Sequence, residues 1–119
     1  MLASVGVAAC SGSAVSDQQG SAGSDDQIKL GATVYATSCA SCHGSDLGGT
    51  DQGPSHLSIV YEPNHHSDDA FRSAIANGAA QHHWTFGPMP AVPGLAEDEV
   101  AAVIAYVRAQ QQEQGFDNE

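Results

Sequence analysis

Apolar and polar positions divide the chain into an irregular N-terminal part and a helical remainder. Residues 1–27 begin small and apolar and then become rich in Ser, Gly, Asp and Gln, a composition typical of a flexible linker. From Ile28 onward, apolar residues recur at helical spacing. We therefore predict a folded domain over residues 28–112, preceded by an unfolded leader and linker, with a polar tail over residues 113–119.

Three segments of this domain have a helical pattern, and alternation of period two is absent. The first predicted helix covers residues 28–38, and the second covers residues 70–77, with Ser67 as a capping residue and Gly78 as a stop. The last covers residues 97–112 and begins with acidic residues, which favour a helix N-terminus. Its apolar face comprises Val100, Val103, Ile104 and Val107. The fold class is therefore all-α, with three to four short helices.

The charge of the chain restricts its partners. Fourteen acidic residues stand against three basic ones, which gives a formal net charge of −11 at pH 7. Nucleic acid is excluded as a partner, because phosphate binding needs a basic stripe. An acidic surface favours basic partners, with an association rate that falls as salt rises, although the acids can equally form a merely solvated face.

The segment Cys39-Ala40-Ser41-Cys42-His43 carries the clearest chemistry in the sequence. Its Cys-X-X-Cys-His spacing is the attachment signature of haem c. Two thiols at this spacing add to the two vinyl groups of one porphyrin, and the adjacent histidine then lies under the iron. We predict one covalent haem c, with Cys39 and Cys42 as its thioether anchors and His43 as the proximal iron ligand.

Three other interpretations of the cysteine pair compete with haem attachment. A thioredoxin-like redox pair needs a βαβ setting, and a disulfide across two residues closes almost no loop. A structural zinc site would join Cys39 and Cys42 to two further histidines, without the usual spacing between them. The candidate histidines for that zinc site are His56, His65, His66, His82 and His83.

Met89 is the candidate for the distal iron ligand. It is the one methionine besides Met1, and it lies between two prolines in Gly87-Pro88-Met89-Pro90. Prolines fix the local backbone, which suits the rigid presentation of a thioether to a metal. The alternative is a bis-histidine iron with His82 or His83 as ligand. The remaining histidines are expected at the surface or against the haem propionates.

Residues 28–112 resemble a class I c-type cytochrome of the small bacterial monohaem kind. The resemblance implies the cytochrome c fold, with helices wrapped around one covalently attached haem. It rests on residues whose order and spacing agree throughout: Gly31, Tyr35, Cys39-Ala40-Ser41-Cys42-His43-Gly44, Gly53-Pro54-Ser55-His56-Leu57, Gly87-Pro88-Met89-Pro90 and Tyr106.

The resemblance also implies roles for single residues. Gly31 should let the first helix cross the last one closely, with Tyr35 and Tyr106 packed at the crossing. The Pro54 carbonyl should accept the Nδ1 proton of His43 and so orient the ring. Two aromatic residues are candidates to reach the haem propionates: Tyr61 and Trp84.

The function implied is that of an electron carrier and not of an enzyme. The haem iron would cycle between ferrous and ferric states in a respiratory or photosynthetic chain. The expected partners are a quinol-oxidising complex or dehydrogenase upstream and a terminal oxidase downstream, and the protein is expected to be a monomer. The alternative is a haem-based gas sensor or a peroxidase-like site, which would require that Met89 does not bind the iron.

Cys10 is a candidate for lipidation. The segment Val7-Ala8-Ala9-Cys10 resembles the lipobox of bacterial lipoproteins. Residues 1–9 are shorter than a full export signal and lack Lys and Arg, so either the true start lies upstream or Cys10 is a free thiol. We predict an exported protein, periplasmic or on the outer face of the cytoplasmic membrane, with a lipid anchor at Cys10.

Overall fold

The computed structural model describes residues 23–116, and helices are the regular structure of this part of the chain. The elements are α1 (Asp25–Ser38), α2 (Ala40–His43), a 3-10 helix (Ile59–Tyr61), α3 (Asp68–Asn77) and α4 (Glu97–Glu113). Within the same residues, β pairing is limited to one isolated bridge. The predicted all-α fold is confirmed. No helix between residues 23 and 116 combines the length and apolar character needed to cross a membrane.

Helix α1 begins at Asp25, three residues before the predicted start at Ile28. The Ser24 side chain caps the helix by accepting the N–H of Gln27 at 3.2 Å. Asp25 and Asp26 then lie in the first turn, where negative charge is favourable. Capping chemistry, and not apolar periodicity, therefore sets this boundary.

Helices α3 and α4 lie close to their predicted positions. Ser67 caps α3 by accepting the N–H of Ala70, as expected. Helix α4 starts differently, because Ala96 has no side-chain acceptor. Instead the Glu99 carboxylate reaches back and accepts the N–H of Ala96 at 2.8 Å, so an acid of the first turn satisfies the start of the helix.

The segment that contains Cys39 and Cys42 forms a separate helical turn, α2, which sequence periodicity did not predict. The N–H of Cys39 still bonds to the Tyr35 carbonyl of α1 at 2.9 Å. The φ angle of Cys39 then departs to −125°, and the chain turns into α2. Gly44 ends the turn at φ +84°, a conformation that glycine adopts without strain.

The crossing of α1 over α4 forms the centre of the core. A Cβ on Gly31 would lie 2.6 Å from the carbonyl carbon of Ala102 and 2.7 Å from the Cβ of Tyr106. The rings of Tyr35 and Tyr106 meet edge to face, with centroids 5.6 Å apart. The close crossing expected at Gly31 is therefore present, and glycine is the residue that allows it.

Two polar residues of α4 connect this helix to the first residue of α3 and to the loop that precedes α3. The Arg108 guanidinium donates to the Asp68 carboxylate at 2.8 Å and to the Tyr61 carbonyl at 2.7 Å. The fully buried Gln111 amide donates to the carbonyls of His56 and Tyr61, both at 3.0 Å. These bonds satisfy loop carbonyls that would otherwise lack partners beside the core.

Candidate haem site

A cavity of about 520 Å³ brings together the predicted attachment and ligand residues. Cys39, Cys42 and His43 line it from the α2 side, and Met89 lines it from the loop before α4. Most of the remaining lining is apolar and includes core residues of α4. Segments far apart in sequence thus face one apolar space of the size usual for cofactor sites, about 300–1,000 Å³.

The two cysteines are half-buried free thiols. Burial, with a smaller contribution from Cys42, raises the pKa of the Cys39 thiol to about 11. Cys39 is therefore a neutral thiol in the polypeptide. The backbone of Cys42 lies so close to Gly53 that a side chain at position 53 would not fit. A Cβ on Gly53 would be 2.7 Å from the Cys42 carbonyl oxygen. The loop at Gly53 consequently packs directly against the attachment turn.

His43 is buried, and its orientation is fixed from the same loop. Its Nδ1 donates to the Pro54 carbonyl at 2.9 Å, the contact that the resemblance implied. Because a carbonyl only accepts, Nδ1 carries the proton, and in the neutral ring the lone pair is on Nε2. Burial lowers the pKa of His43, while the Pro54 carbonyl partly opposes this shift. The neutral imidazole therefore has one available nitrogen, Nε2.

The remaining histidines were expected at the surface or against the haem propionates, and His56 is not at the surface. Its side chain is buried, and its ring stacks on that of His43 with centroids 3.9 Å apart. The His56 Nδ1 and the Tyr35 hydroxyl share a hydrogen bond of 3.0 Å. Burial, followed by His43 and Arg108, lowers the pKa of His56 to about 3. A buried polar residue on a loop has no periodic pattern, so only the position of His56 directly after Gly53-Pro54-Ser55 could have indicated that it lies beside His43.

The backbone of Met89 is held firmly against the end of α3. Met89 and Ala79 exchange two backbone hydrogen bonds, of 2.8 and 3.0 Å. The preceding Gly78 has φ +77°, and a Cβ on it would lie 2.5 Å from the Met89 carbonyl oxygen. Glycine at the end of α3 thus permits the bridge that positions Met89. The rigidity of the two flanking prolines predicts an ordered segment at Met89, but it does not predict the pairing of Met89 with Ala79.

The two aromatic residues assigned to the haem propionates both line the cavity. Tyr61 and Trp84 stack on each other, with ring centroids 5.6 Å apart. Burial raises the pKa of Tyr61 to about 12, so its hydroxyl is a neutral donor. Their contact with propionates stays a prediction.

The zinc interpretation of the cysteine pair finds no support in the structure. Among residues 23–116, the one group of three or more side chains able to share a metal ion is His65, His66 and His83, which contains neither cysteine. Cys10, the residue predicted to carry a lipid anchor, lies outside the described residues. The cysteines therefore remain available for the haem.

A family model described as Cytochrome c matches residues 28–111, which is more than half of the chain. The chain therefore belongs to the cytochrome c family. Proteins of this family carry covalently attached haem c and transfer electrons, so haem c is the cofactor of this domain. Comparison with curated proteins found no match.

The residues present fit this cofactor. The cavity offers two thiols, an imidazole with a free Nε2 and a thioether, which is the donor set needed for covalent attachment and axial ligation of a haem. The surrounding lining is largely apolar, as a porphyrin requires. No other described group of residues combines these donors.

Proposed function

We propose that this protein is a single-electron carrier whose haem is attached through Cys39 and Cys42 and whose iron is bound by His43 and Met89. The observation that carries the proposal is that one apolar cavity is lined both by His43, whose imidazole is oriented by a hydrogen bond, and by Met89, whose backbone is held by two hydrogen bonds. A methionine ligand raises the reduction potential relative to a second histidine. This favours a carrier near the oxidising end of an electron-transfer chain.

The polypeptide would supply two donors to the iron, the imidazole of His43 and the thioether of Met89. When bound, haem supplies an iron that exchanges one electron between its ferrous and ferric states. Pro54 holds the His43 ring through Nδ1, and Ala79 holds the Met89 backbone from both sides. Because the two donors are held by backbone groups, they need little rearrangement when the charge at the site changes.

The groups beside His43 keep the site neutral. The low pKa of His56 leaves its ring uncharged near neutral pH, and burial raises the pKa of Tyr35 far above its usual value. Val103 and Val107 of α4 are buried against the same cavity and exclude water from it. Because this wall of the cavity is apolar and uncharged, the charge on the iron would be stabilised mainly by the iron ligands. Such a site suits electron transfer more than substrate binding.

The partners and location follow from charge and from the N-terminal sequence, and they are part of the same proposal. A net charge of −11 favours a basic docking surface on the partner, with apolar contact as the alternative. We propose an upstream quinol-oxidising complex or dehydrogenase and a downstream terminal oxidase. The protein would be an exported monomer, in the periplasm or on the outer face of the cytoplasmic membrane, with Cys10 as its lipid anchor.

Optical spectroscopy of the haem-loaded protein tests the axial ligation. The wild type should be low-spin in both oxidation states, with the weak long-wavelength sulfur-to-iron band in the oxidised form, and should resist carbon monoxide. Met89→Ala should abolish that band and admit carbon monoxide. The double variant His82→Ala/His83→Ala is the control and should keep the band.

Two outcomes would contradict this assignment. A wild-type spectrum that is high-spin and binds carbon monoxide readily would favour a gas sensor or a peroxidase-like site. Loss of the low-spin spectrum in the His82→Ala/His83→Ala variant, with Met89→Ala unchanged, would favour bis-histidine ligation.

A further inference from the structure

Four histidines from two separate loops converge beside the haem cavity. His65 and His66 precede α3, while His82 and His83 lie in the loop that leads to Met89. One ring nitrogen from each of His65, His66 and His83 lies within 4.8 Å of the other two. The ring of His82 is 4.2 Å from that of His83 and 5.7 Å from that of His66, centroid to centroid. Neither the axial ligands nor the attachment turn accounts for this cluster.

The hydrogen bonds of two of these rings determine which nitrogen is free. His66 Nδ1 lies 2.6 Å from the Val60 carbonyl oxygen, and His82 Nδ1 lies 2.8 Å from the Ala80 carbonyl oxygen. Carbonyls only accept, so both Nδ1 atoms carry protons. In the neutral rings, each Nε2 therefore presents a lone pair. This is the arrangement of metal-binding histidines, whose second nitrogen donates to a backbone carbonyl.

These two free nitrogens face each other. His66 Nε2 and His82 Nε2 are 3.5 Å apart. Two lone pairs cannot form a hydrogen bond, so the contact is stabilised only by a cation shared between them, either a proton or a metal ion. For tetrahedral Zn²⁺ with Zn–N bonds of about 2.0–2.1 Å, the expected separation of two ligand nitrogens is about 3.4 Å. The observed spacing matches that of two ligands on one ion.

We propose that His65, His66, His82 and His83 form a binding site for one divalent transition-metal ion of the imidazole-preferring class, with Zn²⁺ as its representative. Imidazole nitrogen suits Zn²⁺ and Cu²⁺, and four nitrogen donors satisfy the tetrahedral preference of zinc. The site is separate from the iron ligands and contains no cysteine.

The backbone around the cluster is ordered, while its rings are accessible. The N–H groups of His65 and His66 both donate to the Glu62 carbonyl, at 3.0 and 2.8 Å. On the other loop, the Gln81 side chain accepts the N–H of Gly87 at 2.7 Å. His65, His82 and His83 are exposed, so an ion from solution can reach them. Ligand binding then requires side-chain rotations and no refolding of either loop.

The unprotonated imidazole is the form that binds metal. The strongly acidic chain adds a general attraction for cations.

Metal binding at the four histidines should change the reduction potential of the haem. Residues His66, His82 and His83 line the same cavity as the proposed iron ligands. A divalent ion held by them would place positive charge beside the haem pocket and would stabilise the ferrous state. The reduction potential should therefore rise when the site is filled.

Calorimetric titration of the haem-loaded protein with Zn²⁺ tests the site. The wild type should bind one Zn²⁺ per haem, and the double variant His65→Ala/His83→Ala should bind at least about tenfold more weakly. Asn64→Ala, an exposed neighbour of His65, is the matched control and should bind like the wild type. The midpoint potential should rise with Zn²⁺ in the wild type and in Asn64→Ala, but not in the double variant.

The proposal would be overturned by any of three results. If the wild type is titrated with excess Zn²⁺ and shows neither binding heat nor stoichiometric Zn²⁺ uptake, no site exists. Equal affinity of the double variant would assign the binding to surface carboxylates. A change of the haem spectrum in His82→Ala would assign that histidine to the iron and would overturn its place in the four-histidine site.

Discussion

The α1–α4 crossing and the loop over residues 78–90 pack in contrasting ways. At the crossing, protein atoms fill the space so completely that Gly31 cannot bear a side chain. The loop instead borders a cavity of about 520 Å³, and its histidines and Phe86 are exposed. The crossing is therefore complete without any cofactor, whereas the loop has its backbone fixed at Met89 but lacks a core of its own. We infer that the haem is the core of the second region.

Removal of the haem should produce the largest effect, since it empties the second region. The double variant Cys39→Ser/Cys42→Ser should fail to retain haem. A void of 520 Å³ would cost up to about 12 kcal/mol at about 24 cal/mol per Å³, which is as large as the whole stability of an ordinary domain. Circular dichroism should then show no cooperative thermal transition. A cooperative transition close to that of the haem-loaded wild type would contradict the inference that haem completes the core.

Substitution of Gly31 should break the first region instead. Helix propensity alone predicts that Gly31→Ala stabilises α1 by about 1 kcal/mol. The collision with Ala102 should reverse the sign, with a net loss of about 2–3 kcal/mol in the free energy of unfolding. Chemical denaturation of the haem-loaded protein measures this loss. The control Ala36→Gly, at an exposed position of α1, should cost no more than about 1 kcal/mol.

Arg108 and Arg72 allow the contacts of a mostly buried arginine to be compared with those of an exposed one. Arg108→Met removes hydrogen bonds to Asp68 and to the Tyr61 carbonyl, and it should cost about 2 kcal/mol because the side chain is only 12% exposed. Arg72→Met removes an exposed ion pair with Glu97 and should cost between about 0 and 1 kcal/mol. Equal losses in urea denaturation would contradict the distinction.

Gly78 tests the backbone bridge that positions Met89. Gly78→Ala combines a strained φ with a collision at the Met89 carbonyl, which should cost about 1–3 kcal/mol and weaken the sulfur-to-iron band. Gly94→Ala has a similar positive φ but nothing within 4 Å, so it should keep the band. Retention of the band in both variants would show that the bridge does not position the methionine.

Sequence reasoning was strongest where local rules determine the structure. Ser67 and Gly78 delimit α3 as predicted, and the apolar face of α4 packs into the core as its spacing indicates. The attachment motif also carries its own chemistry in five consecutive residues. In these cases the signal is contained within a few positions of the chain, so no knowledge of the tertiary structure is needed.

Several contacts between polar residues of distant segments could not be predicted from sequence patterns. The burial of His56 depends on stacking with His43 and on the Tyr35 hydroxyl, and each of these residues comes from a different segment. Gln111 is buried because it satisfies carbonyls of a loop far away in sequence. The four-histidine cluster likewise requires the relative placement of two loops. Polar residues have no periodic pattern that would predict such contacts.

A reversible redox titration followed optically tests the central claim, which is electron transfer at a haem with two fixed axial ligands. The haem-loaded protein should show one one-electron step, with low-spin six-coordinate spectra at both ends and no uptake of carbon monoxide by the ferrous form. A ferrous form that becomes high-spin and binds carbon monoxide would contradict the account, because it would show that Met89 does not hold the iron through the cycle.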